Sequence, residues 1–241
     1  MRDLLYLSET KMRALLPQLP GRVLRRLGLE AGLNAGLVSL RATLPPQQQE
    51  PSLITALDQV IDMIDAERLP RWRTDPQLGG GDWIQFEEEF RFGEAPSVPG
   101  RLTGRDLVYF VATDDTVPFV LCGSRAHVVD MRQVPDAQHT HGVGFYTSAV
   151  LDFTHRTAAL PDEAALAEVP PLAGNMDSHG MVTEDADQVA RDLRYGMGWL
   201  SGARVNWPGR AVLSGHARVL AAGDFVLATP LYVEYSADRP R

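Results

Sequence analysis

The chain has 241 residues, 44% hydrophobic and 22% charged, values ordinary for a globular protein and wrong for a disordered one. Its net charge of -8 and its lack of a long basic run argue against a nucleic-acid binder, which needs clustered cations to neutralise phosphates. The lone Cys122 cannot form an internal disulfide, no apolar run reaches the ~20 residues of a membrane span, and Met1–Lys11 lacks a signal-peptide pattern. The expectation is a cytoplasmic protein with no membrane or nucleic-acid partner and no cofactor.

In chain order, Leu4 to Leu7 reads as a short strand. Ser8 then has the chemistry of a helix N-cap, with Met12, Leu15 and Leu16 as an apolar stripe before Pro17. A second short helix is predicted over Val23 to Leu27, where the arginines from Arg22 to Arg26 read as a solvated face. Pro45 to Gln49 is a loop. Ser52 is the expected cap of a helix carrying Leu53, Leu57, Val60, Ile61 and Ile64 on one face, ended by Pro70. Gly79-Gly80-Gly81 is a turn without the Lys-Ser/Thr of a phosphate loop.

From Trp83 the period changes to two. Ile84, Phe86, Phe90 and Phe92 share one strand face, and Gln85, Glu87, Glu89 and Arg91 the other. Further strands are predicted over Leu107–Ala112, Phe119–Cys122, Ala126–Met131 and Phe145–Phe153. Glu163–Val169 reads as a short helix. Thr183 is the expected cap of a long one with Ala186, Val189, Leu193, Met197 and Leu200 inward, closed by Gly202. Ala211–Leu220 and Phe225–Tyr235 form a predicted hairpin around Gly223-Asp224. Pro230 marks its second strand as an edge strand or a bulged one. These elements predict an α+β fold, an antiparallel or mixed β-sheet with helices packed on one face. A single domain over 1–241 is expected, helical over 1–75 and sheet-rich over 83–241.

Four sets of residues carry the candidate chemistry. Ser8-x-x-Lys11 has the spacing of a serine acyl enzyme, in which the amine assists the hydroxyl. The companion Ser-Asp-Asn and Lys-Thr-Gly elements are missing, and a helix cap is the favoured reading of Ser8. His139-x-His141, near Asp130 and Asp136, could ligate a divalent metal, although its Pro- and Gly-flanked polar setting reads as a solvated connection. Glu88 falls on the apolar strand face between Phe86 and Phe90. There a carboxylate needs a partner or a raised pKa, unless a bulge turns it outward. Ser214, His216 and Arg218 share one face of a strand. They read as the wet face of a sheet or as a site for an anionic ligand anchored by Arg218. Cys122, after Phe119-Val120-Leu121, reads as a small buried hydrophobe.

Tyr6-Leu7-Ser8-x-x-Lys11 with Leu15-Leu16-Pro17-Gln18-Leu19-Pro20 resembles an uncharacterised family of actinomycete proteins. Gly32-Leu33-Asn34-Ala35-Gly36, Phe119-Val120-Leu121-Cys122-Gly123-Ser124 and Pro230-Leu231-Tyr232-Val233 share in the likeness, which covers nearly the whole chain. It implies a bacterial cytosolic protein in an accessory part of a larger signalling or defence assembly, and assigns no catalytic residue.

The leading expectation is a non-catalytic binding or accessory module for a partner protein or a small anionic ligand. The alternative is a hydrolase using Ser8 and Lys11, or a metal at His139 and His141. A further expectation is a homo-oligomer paired through an edge strand at 225–235.

Overall fold

The strict alternation from Trp83 onward and the apolar runs that follow it demand a sheet with a sheltered face. The strands are β1 (Leu4–Leu7), β2 (Arg71–Trp72), β3 (Trp83–Glu94), β4 (Leu107–Ala112), β5 (Phe119–Ser124), β6 (Gln138–His139), β7 (Asn175–Met176), β8 (Val182–Thr183), β9 (Val205–Asn206), β10 (Gly209–Ala222) and β11 (Val226–Tyr235). The structure is a computed structural model. It describes residues 2–26, 50–94, 107–113, 117–129, 138–139, 175–176, 182–183, 193–194, 196–198, 200–201 and 205–236. Two compact units emerge, Met1–Ser8 with Arg71–Arg241, and Glu9–Pro70.

The first unit is built on a seven-stranded sheet in the order β1-β11-β10-β3-β4-β5, with β2 beside β3. β11 also pairs in parallel with β5, Val226 opposite Phe119 and Ala228 opposite Leu121. That pairing closes β11-β10-β3-β4-β5 into a barrel. The class is α+β and the sheet is mixed, as expected, but the expectation of a sheet with helices on one face is corrected: the sheet curls onto itself into a barrel, with β1 and β2 as flanking strands.

β11 is not an edge strand. It pairs with β10 along its length, with β5 at Val226–Ala228 and with β1 at Tyr232–Glu234. Pro230 sits where the outer neighbour changes from β5 to β1, and the register with β10 shifts beside it, between His216 and Ala217. A residue without an N–H belongs in such a gap. The edge expected for self-pairing at 225–235 is therefore covered by the chain itself.

The barrel interior is filled by Ile84, Phe86, Phe90, Phe92, Val108, Phe110, Phe119, Leu121, Leu213 and Val219, all buried. Phe86, Phe90 and Phe119 meet edge to face at 5.5–5.9 Å, the arrangement that ring quadrupoles favour. The opposite side of β4 and β5 carries Tyr109, Val111, Val120 and Cys122. These pack with Leu193, Met197, Leu200 and Trp207 in a second core. The three helical positions are the inward ones predicted for that helix, but Thr183, its expected cap, lies in β8 opposite Asn175. Ala186, Val189 and Gly202 lie outside the described residues, as do the strand over 145–153 and the helix over 163–169.

Where a strand was predicted over Ala126–Met131, Arg125–His127 form a 3-10 turn and Val128 makes a single antiparallel bridge to Tyr6; Asp130 and Met131 lie outside the described residues. The start of the turn is fixed by the Ser124 side chain, which accepts a hydrogen bond from the Ala126 N–H at 3.3 Å. Such a local bond competes with the strand ladder.

In the second unit, α1 (Glu9–Leu15) leads into a 3-10 turn (Leu16–Gln18) and α2 (Gly21–Arg26), and α3 spans Glu50–Glu67. α3 buries Leu57, Val60, Ile61 and Ile64, as predicted. It begins two residues ahead of Ser52, with Pro51 in its first turn, a position that needs no N–H donor. No described helix is long and apolar enough to cross a membrane.

Candidate functional site

Hairpin register brings together residues that the linear sequence separates. Across β3, β10 and β11, Trp83, Arg218 and Thr229 stand in one row, Gln85, His216 and Tyr232 in the next, and Glu87, Ser214 and Glu234 in a third. All three rows project from the face opposite the barrel interior, because Ile84, Phe86, Leu213 and Ala217 point inward between them. Ser214, His216 and Arg218 thus do share one face of β10.

In the middle row, the rings of His216 and Tyr232 stack at 5.6 Å, with His216 Nδ1 3.1 Å from the Tyr232 hydroxyl. The Arg2 guanidinium lies 5.3 Å from the centre of the Tyr232 ring and donates to Glu234 at 2.7 Å. The Ser236 hydroxyl bonds Glu87. The carboxylates of the third row are therefore already engaged.

The first row is rich in donors. Arg218 Nε donates to the Gly81 carbonyl at 3.2 Å. Gly81 holds φ at 95°, a left-handed conformation suited to glycine. That turn is tied to β10 by Gly81 N–H to Val219 O and Val219 N–H to Asp82 O, each 2.8 Å. Trp83 is only 6% exposed, and its indole Nε1–H is buried with no hydrogen-bond partner among the described residues. Leaving such a donor unpaired costs about 1–3 kcal/mol. Indole has no acceptor, so only an acceptor can relieve it.

On the barrel's inner side, Glu88 obeys the alternation. The β3–β10 register runs unbroken through Glu88 opposite Leu213, so no bulge turns it outward. Its partner is Arg73, whose Nε donates to Oε1. Arg73 is 4% exposed and Glu88 17%. The guanidinium also lies 5.7 Å from the centre of the Phe119 ring. A buried cation, one carboxylate oxygen and an aromatic face meet there, while the second carboxylate oxygen, Oε2, is buried without a hydrogen bond among the described residues.

Ser8 closes β1. It is buried, and its N–H donates to Leu231 O at 2.7 Å. Its side chain hydrogen-bonds the Tyr6 phenol, which also lies 3.3 Å from His127 Nδ1. Burial pushes the Tyr6 phenol well above its ordinary 10.0, and the Cys122 thiol adds to the rise; bonds from Ser8 and Ser124 oppose it. A raised folded-state value favours the neutral phenol. That stability is whole below the ordinary tyrosine range and is lost progressively as pH climbs above it toward the raised folded-state value. Urea midpoints taken from about pH 9 to 11 are expected to fall less steeply in Tyr6→Phe than in the parent; equal slopes would contradict this burial.

Lys11 lies in α1, within the helical unit. His139 lies in β6, paired with Val205, but its side chain and all of His141 lie outside the described residues. Among the described residues, no group of three or more His, Cys, Asp or Glu side chains is placed to hold a metal.

Sequence reasoning missed Trp83, Thr229, Tyr232 and Arg2 as neighbours of the β10 set. The Gly223-Asp224 turn pointed to the hairpin, but two register shifts, at His216/Ala217 and Val219/Ala221, move the pairs off a simple count. Arg73 carried no local signal of its partner 15 residues on.

A model of a family of unknown function, DUF7019, matches residues 2–237. No curated protein and no solved structure matches the chain.

Proposed function

The chain belongs to the DUF7019 family, and we propose that it is a non-catalytic binding module that holds a small anion on the outer face of β3, β10 and β11. The observation that carries this reading is the buried indole N–H of Trp83, lacking a hydrogen-bond partner among the described residues and standing in register with Arg218. An anion supplies the acceptor that Trp83 needs and the charge that a guanidinium recognises. Thr229 closes the row with a hydroxyl, and His216 stands two residues along β10 on the same face. Glu234 is paired with the Arg2 guanidinium, which lessens its repulsion of an incoming anion.

The hydrolase reading draws no comparable support, since the Ser8 hydroxyl is engaged with a phenol. The setting we propose is the actinomycete cytosol, in an accessory role.

The test is calorimetric titration of the full chain with inorganic phosphate and with ribose 5-phosphate. Arg218→Gln is expected to weaken both by tenfold or more, and Trp83→Phe, which keeps the ring and removes the N–H, by a smaller factor. Circular dichroism establishes that each variant is folded. Unchanged affinity in both folded variants, or no binding to the parent, would refute the reading.

A further inference from the structure

We infer that the anion is the phosphate of a nucleoside monophosphate, whose base lies on the indole of Trp72. This rests on the anion site just described and adds the ligand's other half.

Trp72 belongs to β2, which runs parallel to β3 with Trp72 opposite Gln85. The next residue, Arg73, turns inward to Glu88 and Phe119. Strand alternation therefore sends Trp72 to the outer face, the face of Gln85, His216 and Arg218. There it is 56% exposed. Trp83 and Trp207, by contrast, are buried at 6% and 5%. An indole left in solvent on an otherwise ordered strand is a ready stacking surface, and every nucleobase offers a π-face to it.

The geometry joins the two halves. Trp72 and Arg218 are separated by two strand spacings across the sheet and two residues along it. That is roughly 12 Å between Cα atoms. An indole and a guanidinium can close that span onto one ligand with a flat ring at one end and a phosphate at the other. Gln85 lies between them, in register with Trp72 on one side and His216 on the other.

Charge limits the length of the ligand. The chain carries a net charge of -8, which repels a polyanion, and the row provides one arginine, not a basic track. A single phosphate suits that site, and a nucleic-acid strand does not.

Calorimetry on the full chain with AMP, ribose 5-phosphate and adenosine tests this. The parent is expected to bind AMP roughly tenfold more tightly than ribose 5-phosphate, the gain that one stacked base gives, and to bind adenosine weakly. Trp72→Ala is expected to bring AMP down to the level of ribose 5-phosphate and leave ribose 5-phosphate unchanged, while Trp72→Phe keeps most of the gain. An AMP preference that survives Trp72→Ala, or no AMP preference in the parent, overturns the nucleotide inference; Arg218-dependent binding of ribose 5-phosphate would then still stand. Failure of the parent to bind either phosphate overturns both readings.

Discussion

Glu88→Leu is expected to destabilise the protein by roughly 3 kcal/mol or more, the range for removing one partner of a buried ion pair. Arg73, 4% exposed beside the Phe119 ring, would lose the carboxylate to which its Nε donates. Its charge cannot be neutralised, because a guanidinium does not give up its proton in a protein. Arg73→Met is expected to cost less. It leaves a carboxylate that is 17% exposed and so keeps some contact with water, and a carboxylate can also take up a proton. The double variant Arg73→Met/Glu88→Leu removes both charges and is expected to recover much of the loss. Urea unfolding of the parent and the three variants closes this cycle. Additive losses would mean that the two side chains do not depend on each other within the barrel.

The second large effect concerns backbone packing. Gly215→Ala is expected to cost about 2–3 kcal/mol, or to prevent folding. A Cβ at Gly215 would run into the Tyr232 carbonyl oxygen and would stand 2.8 Å from the Phe86 ring. The Phe86 ring is packed against Phe90 and Phe119, and the carbonyl is part of β11. Neither can swing aside as the end of a flexible side chain could. Gly21→Ala is the control, since nothing lies within 4 Å of a Cβ there. Comparable losses in the two variants would contradict this packing.

The parts of the fold written in short-range patterns were legible in the sequence. The period-two run from Trp83, the apolar block at Leu107–Ala112 and the Gly223-Asp224 turn each announce their element through neighbours a few residues away. Barrel closure was not legible. It depends on Val226 finding Phe119 across more than a hundred residues of chain, and parallel pairing at that distance leaves no local mark. The start of the strand expected over Ala126–Met131 gives way to a 3-10 turn for a local reason, the side-chain bond of Ser124 to the Ala126 N–H.

The candidate site divides in the same way. Glu88 was legible as an anomaly, because a carboxylate broke an apolar face, yet its answer lay in the turn just past β2, at Arg73. Ser214, His216 and Arg218 were legible as a set through alternation alone. Their neighbours Trp83 and Tyr232 required the register of two strand pairs. Trp72 carries no signal of a site in the sequence; its pairing with β3 gives it a face.

The most direct measurement is a 1H–15N spectrum of the tryptophan indoles during titration with ribose 5-phosphate. The chain has four tryptophans, and Trp83→Phe assigns the resonance of interest. The Trp83 Nε1–H signal is expected to move downfield with saturation as it gains an acceptor, while that of Trp207, already bonded to Leu200 O at 3.1 Å, stays in place. A Trp83 signal that does not move when ribose 5-phosphate is saturating would contradict the anion site.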